Sequence, residues 1–305
     1  MFNYFLRRLV RASITLIGIS IIIFVAIRMS GDPVMSLAPE DATEADIAEI
    51  RAELGLDKPV WVQYVIYAKN AVQGDFGRSI RYQQPALDMV AARLPATIHV
   101  GLSAFILATL IGVFLGVTTA RYRGSGADYS IRMGAILCQS APGLWLGMIL
   151  ILIFSVNLHW LPASGRGSAA HMVLPVVTLG LAAVASTMRL TRSSMLETLG
   201  SEYVRFLRSK GLSEDMIVWK HALRNSFIPV LAVMGLQLGN LMAGAIIVET
   251  VFNWPGVGKL MVEALQARDF PIIQAGAFLL SIMMVSINLL VDLLFGIVDP
   301  RIRYE

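Results

Sequence analysis

Six long apolar stretches constrain this chain more than any other feature of its sequence. A helix needs about 20 apolar residues to cross the hydrocarbon core of a membrane, at a rise of about 1.5 Å per residue. Because no water is available in lipid to satisfy open backbone groups, each stretch must be helical. The sequence therefore predicts an all-α, polytopic membrane bundle of about six spans, at residues 9–29, 96–120, 133–158, 172–188, 227–248 and 272–298.

Composition excludes an ordinary soluble domain, since 56% of the residues are hydrophobic and only 15% are charged. The first stretch follows Arg7, Arg8 and Arg11 but lacks a small-residue cleavage site, so we interpret it as a retained span rather than a secretory signal. The single cysteine, Cys138, lies in the third stretch, so the chain can form neither an intrachain disulfide nor a thiolate metal cluster.

The basic residues indicate how the spans are oriented. Lysine and arginine concentrate on the cytoplasmic side of membrane proteins. Fifteen of the 25 basic residues fall on one side if the spans alternate, in the segments near residues 7–11, 121–132, 189–224 and 301–303. We therefore expect both termini in the cytoplasm and the segment from residue 30 to residue 95 outside. The basic pI of about 9.3 follows from this topology and does not indicate nucleic-acid binding.

The external segment contains two amphipathic patterns at helical spacing. One is formed by Ile47, Ile50 and Leu54 and is closed by Gly55. The other runs until Gly74 and consists of Trp61, Tyr64, Val65, Ala68 and Val72. The two helices could lie on the membrane surface or form a docking surface for a binding protein.

A second polar segment, about residues 189–226, predicts a helix, a glycine and another helix. Tyr203, Phe206 and Leu207 share one face of the first helix, which Gly211 ends. Ser213 suits the N-cap of the second helix, and Glu214 and Asp215 follow in the first turn, where the helix dipole favours acids. The apolar positions of the second helix are Met216, Trp219 and Leu223, and either the bundle or a partner protein must bury them.

This segment resembles the coupling loop of ABC importer permeases, whose pattern is Glu-Ala-Ala, three residues, Gly, and later Leu-Pro. Gly211 and Leu223 match the glycine and the leucine, whereas the acid, the two alanines and the proline are replaced by Arg205, Phe206, Leu207 and Arg224. These departures are similar to those of the dipeptide and oligopeptide permease branch. Five further stretches resemble the same branch, at residues 31–33, 55–57, 74–77, 251–256 and 299–303.

The resemblance implies a type I ABC importer permease that forms half of a channel in a bacterial inner membrane. The long external segment looks like that of a B-type subunit, and glutathione permeases are similar, so the solute is expected to be peptide-like. The implied partners are a C-type permease, two ATPase subunits and an extracytoplasmic solute-binding protein. The residues expected to couple the chain to the ATPase are Arg205, Gly211, Leu212, Ser213, Glu214, Asp215 and Trp219.

The expected organisation is a first span with its external segment at residues 1–94, a permease core at 95–298 and a cytoplasmic tail at 299–305. No catalytic residues, metal or cofactor are expected in this chain, with ATP and Mg²⁺ bound by the partner subunits. Residues 256–259 imitate a phosphate loop, but Asn253 and Leu260 stand where that loop needs a glycine and a hydroxyl.

Polar residues inside the spans leave two questions open. Gln237, Asn240 and Gly244 share one face of the fifth span, where they could serve close helix packing or line the channel. Asp292 could tie the sixth span to the bundle, or act in a proton relay with His99. A relay would suit a secondary, ion-coupled transporter, which is the main alternative function; a membrane hydrolase is a more distant one, since no serine or metal constellation is evident.

Overall fold

The structure, a computed structural model, describes residues 2–30, 43–45, 51–52 and 57–298. Within these residues the fold is helical, and the one β feature is an isolated bridge between Arg78 and Pro85. The helices are α1 (Phe2–Ser30), α2 (Val60–Val72), α3 (Ala86–Arg121), α4 (Gly126–Ser140), α5 (Gly143–Leu150), α6 (Ala169–Leu199), α7 (Glu202–Ser209), α8 (Glu214–Met216), α9 (Leu223–Val251), α10 (Val257–Gln266) and α11 (Phe270–Val298). Two π-helical turns, Ile151–Asn157 and Ile217–Ala222, extend α5 and join α8 to α9.

Five helices are long and apolar enough to cross a membrane, and a bent pair adds a sixth candidate. The five segments are Val10–Met29, Ala86–Arg121, Ala169–Leu199, Pro229–Val251 and Phe270–Val291. The predicted all-α bundle of about six spans is thus confirmed. The fourth predicted span, residues 172–188, lies within α6, which continues to Leu199 through a run of polar residues.

The third predicted span, residues 133–158, is bent. Helices α4 and α5 meet at an angle of 107° across Ala141 and Pro142. Ala141 is extended, with φ −76° and ψ 129°, because the ring of a following proline disfavours helical backbone. Pro142 is then the N-cap of α5, whereas Pro175 and Pro229 lie inside α6 and α9.

One compact unit comprises residues 1–95 and 256–286. In it α2 packs against α1, where the hydroxyls of Ser20 and Tyr64 are 2.9 Å apart. Ser79, which is fully buried, donates a hydrogen bond of 2.5 Å to Asp269 Oδ2 and so ties the turn before α3 to the turn before α11. The apolar core of this unit includes Phe76, Val90, Leu260 and Ile272.

Helix α2 confirms the second predicted amphipathic helix of the external segment. Trp61, Val65 and Val72 are exposed, whereas Tyr64 and Ala68 are partly buried. Part of the apolar face of α2 is therefore left uncovered by this unit. The first predicted helix, with Ile47, Ile50, Leu54 and Gly55, lies outside the described residues. The two roles foreseen for these helices both stay predictions.

The other unit comprises residues 96–255 and 287–305, and its core is built by α3, α6 and α9. Buried members include Ala104, Leu174, Leu241 and Trp254, whose indole N–H donates to Ala96 O at 2.9 Å. Helix α3 approaches α6 closely at two glycines: a Cβ added at Gly112 or Gly116 would lie 2.6 Å or 2.5 Å from a threonine Cβ of α6.

Candidate coupling site

The segment from α7 to the second π turn, residues 202–222, has the predicted helix, glycine, helix form, and we call it the coupling segment. Gly211 has a φ of +76°, the left-handed conformation expected of a glycine that ends a helix. Ser213 caps the next helix, since its Oγ accepts from the Met216 N–H at 3.4 Å. The local geometry predicted for both residues is confirmed.

A small apolar core holds the two arms of the coupling segment together. Val204 and Ile217 are fully buried and Leu207 is 8% exposed, with Leu212 packed against them. Val204 and Leu207 lie on α7, while Leu212 and Ile217 follow Gly211. The glycine therefore connects two arms that are already fixed to each other, so the turn has one defined angle.

The second arm is fixed to the spans of its own unit. Val218 and Ala222 are buried against Val117, Ala120 and Met195, which lie near the ends of α3 and α6. Asp215 forms an ion pair with Arg121, the last residue of α3. The π turn also runs without a break into α9, so a displacement of this arm would be passed directly to three spans.

Ion pairs on the surface of the coupling segment fix its polar residues. Arg208 donates to Glu214 at 2.6 Å and 3.3 Å, across Gly211. This hydrogen bonding lowers the pKa of Glu214 and raises that of Arg208, because each side chain favours the charged form of the other. Arg205 donates to Glu202 at 2.7 Å; both side chains are largely exposed, so this pair contributes little to stability.

The bundle leaves part of the predicted apolar stripes uncovered. Tyr203 is 42% exposed, Phe206 55%, Met216 46% and Trp219 39%, whereas Leu207 and Leu223 are mostly covered. The Trp219 ring stacks on Phe114 of α3, with centroids 5.8 Å apart. We call the four exposed side chains the coupling surface. Apolar side chains exposed on a polar segment are typical of a protein interface.

The three residues predicted either to line a channel or to serve helix packing, Gln237, Asn240 and Gly244, lie on α9 and differ in what they contact. Gln237 Oε1 accepts from Thr187 Oγ1 at 2.9 Å, and a Cβ added at Gly244 would lie 3.2 Å from Leu179 Cδ1, so both positions face α6. Asn240 is exposed. Close helix packing and channel lining both stay predictions for these three residues.

The other polar positions are placed as follows. Asp292 lies in α11, with its side chain outside the described part, and His99 Nδ1 lies 3.3 Å from Arg166 Nη2. Lys259, from the sequence that imitates a phosphate loop, pairs with Glu263 at 3.2 Å in α10. Gly256 is the N-cap of that helix, and Gly258 is buried within it.

The sequence prediction named Leu207, which is buried in the core of the coupling segment, but missed the other buried residues. Val204, Ile217, Val218 and Ala222 carry its packing, but the predicted stripes placed the apolar face one position away. The signal was present, because Val204 and Ile217 are apolar and neighbour the predicted positions. In a short helix with apolar residues on adjacent faces, periodicity alone does not tell which face the bundle covers.

Comparison with known proteins assigns the chain to a family. Residues 108–304 match the family described as binding-protein-dependent transport system inner membrane component, and residues 1–101 match the N-terminal region of such membrane components. The dipeptide transport system permease protein DppB of Escherichia coli K12 is 41% identical over 338 aligned residues, covering 100% of both chains. The glutathione transport system permease protein GsiC of the same strain is 42% identical over 306 residues, again covering both chains fully.

Solved structures share the fold. A methionine ABC transporter, MetNI, in inward-facing conformations matches with a TM-score of 0.57 and 16% identity, over 69% of this chain and 96% of the other. An amino acid ABC transporter crystallised with histidines matches with a TM-score of 0.54 and 15% identity, over 68% and 94%. The chain therefore belongs to the family of binding-protein-dependent transport system inner membrane components, the permease subunits of ABC importers.

Proposed function

We propose that this permease is the B-type channel half of an ATP-driven importer for di- and oligopeptides or related peptide-like solutes such as glutathione. The observation that carries this proposal is the identity of 41% and 42%, over the full length of both chains, with a dipeptide and a glutathione permease. A B-type subunit needs a C-type partner to complete the channel. A solute-binding protein would deliver the solute from outside.

The coupling segment supplies the mechanical link to the ATPase subunits in this proposal. Two ATPase subunits would bind below the membrane, one of them on the coupling surface of this chain. Arg205, Glu214 and Asp215 surround the apolar contact with charge, while Gly211 and Leu212 keep the two arms at their angle. Closure of the ATPase dimer would move the segment as a rigid body, and the π turn would carry the motion into α9.

We also propose that the chain itself hydrolyses no ATP and binds no cofactor, with ATP and Mg²⁺ held by the ATPase subunits. The helical geometry around Lys259 supports this, because its side chain is engaged by Glu263 rather than directed into a glycine-rich loop. We place the chain in the inner membrane of a bacterium. The segments rich in lysine and arginine support an orientation with both termini in the cytoplasm.

The test measures uptake of a labelled dipeptide, and of labelled glutathione, in cells expressing the complete transporter. Uptake should disappear when the partner ATPase carries a hydrolysis-dead substitution, and should persist in an uncoupler as long as cellular ATP is held constant. Uptake that survives the dead ATPase but stops with the uncoupler would show an ion-coupled transporter instead. Competition between the two labelled solutes then ranks dipeptide against glutathione.

A further inference from the structure

A cationic cavity lies between α4 and α6, outside the coupling segment. Its volume is about 350 Å³. Helix α4 contributes Arg132 and Ile136, one turn apart, and α6 contributes Met188, Arg189, Arg192 and Ser193. The cavity therefore combines three guanidinium groups with an apolar wall, and the coupling mechanism uses none of these side chains.

The positive charge of the cavity is only partly neutralised. Asp128, 1% exposed, accepts from Arg192 Nε and Nη2 at 3.2 Å and 3.0 Å and lies 3.0 Å from Arg132 Nε. One carboxylate thus faces two arginines. Arg189 is exposed, and it forms no ion pair with a carboxylate of the described residues. Three positive charges against one negative charge favour an anionic ligand.

The order of residues along the two helices places Ile136 and Met188 on the side of the cavity away from the helix ends, next to Arg189, and Leu196 on the opposite side. Helix α4 begins at Gly126 and α6 ends at Leu199, so Ile136 is one turn further from the start of α4 than Arg132, and Met188 and Arg189 are further from the end of α6 than Arg192. Both helices belong to candidate membrane spans. Arginines near the end of a span lie at the level of the lipid headgroups, whereas apolar side chains beyond them face acyl chains.

We propose that this cavity binds an anionic phospholipid, with its phosphate at Arg189 and Arg132 and an acyl chain along Ile136. Guanidinium groups bind phosphate oxygens through paired N–H donors, which an ammonium group cannot match in geometry. Basic cavities between transmembrane helices are known to hold anionic lipid headgroups. Asp128 orients Arg192 and Arg132 toward the cavity, and Ser193 adds a hydroxyl at its rim.

The test uses Arg189→Gln, because Arg132 and Arg192 hold the buried Asp128 and their loss endangers folding. The full chain, purified with its partner subunits in mild detergent, is examined by native mass spectrometry with phosphatidylglycerol and with phosphatidylcholine of the same acyl chains. Arg123→Gln is the matched control, since it removes an exposed arginine in the turn between α3 and α4. Ser193→Asp adds a negative charge at the rim of the cavity and leaves Asp128, Arg132 and Arg192 unsubstituted.

Phosphatidylglycerol retention is expected to fall about fivefold in Arg189→Gln, from the loss of one arginine beside an anionic lipid, and further in Ser193→Asp. Arg123→Gln should retain the lipid as the parent does, and phosphatidylcholine should bind weakly to all four proteins. Equal retention of phosphatidylglycerol by the parent and both cavity variants would overturn the proposal. Displacement of the lipid by millimolar inorganic phosphate would also overturn it, in favour of a free-anion site.

Discussion

Gly211 has a positive φ of +76° and open space around it, so its backbone rather than its packing limits what can replace it. Valine there should cost roughly 1 to 2 kcal/mol in the left-handed conformation. The turn would then relax to another angle and displace the coupling surface. We expect uptake to fall roughly 5- to 30-fold, the factor corresponding to that energy, while the amount of protein in the membrane stays unchanged.

Gly200→Val is the matched control for this substitution. Gly200 ends α6 with an ordinary φ of −82°, and an added Cβ would meet its nearest neighbour at 3.5 Å. Uptake, membrane abundance and co-purification of the ATPase subunits should all remain near the parent's in the control. Parental uptake and normal ATPase association in Gly211→Val would show that this loop is not the coupling element.

The role of a single residue could be predicted from the sequence where it depends only on near neighbours along the chain. The capping role of Ser213 and the conformation of Gly211 follow from neighbours within four residues along the chain. The burial of Val204 against Ile217 joins residues 13 positions apart and depends on the angle of the turn between them. Likewise, the pairing of Asp215 with Arg121 depends on how α3 packs, which no local pattern contains.

At the scale of elements, the close contact of α3 and α6 provides a stability prediction. A Cβ at Gly116 would lie 2.5 Å from Thr191 Cβ and 2.8 Å from Met188 O, and the second atom belongs to backbone that cannot rotate away. Gly116→Ala must separate the two helices locally. We expect a loss of about 1 to 3 kcal/mol, measured as a lower thermal unfolding midpoint of the purified protein.

Gly134→Ala provides the comparison, because Gly134 lies inside α4 with nothing within 4 Å of an added Cβ. Alanine has the higher helix propensity, so that variant should unfold at the parental temperature or slightly above it. A midpoint for Gly116→Ala equal to that of Gly134→Ala would contradict the close approach of α3 and α6.

The sequence predicted the existence and type of these helices because the membrane requires both length and apolar composition. The predicted fourth span ended at Met188, where the sequence becomes polar. The helix itself continues for eleven residues beyond Met188, because apolar composition marks the span and not the end of the helix. Gly112 and Gly116 form the small-xxx-small pattern that is typical of close helix contacts, but this pattern does not identify which helix packs against them. Only the folded unit identifies α6 as the helix that packs there.

At the scale of the whole molecule, orientation is the property on which the proposed mechanism most depends. The coupling surface can meet a cytoplasmic ATPase only if residues 202–222 lie inside, and the same choice places Asp57 outside and both termini inside.

Cysteine labelling decides this on a background in which the single native cysteine, Cys138, is replaced by alanine. We expect a maleimide that cannot cross the membrane to label Asp57→Cys in intact cells and to leave Glu305→Cys and Lys210→Cys unlabelled until the cells are opened. Lys210 is a suitable internal probe because it is exposed at the end of α7, so poor accessibility would not explain its protection. Labelling of Glu305→Cys or Lys210→Cys in intact cells, with none at Asp57→Cys, would invert the topology and remove the coupling segment from reach of any ATPase.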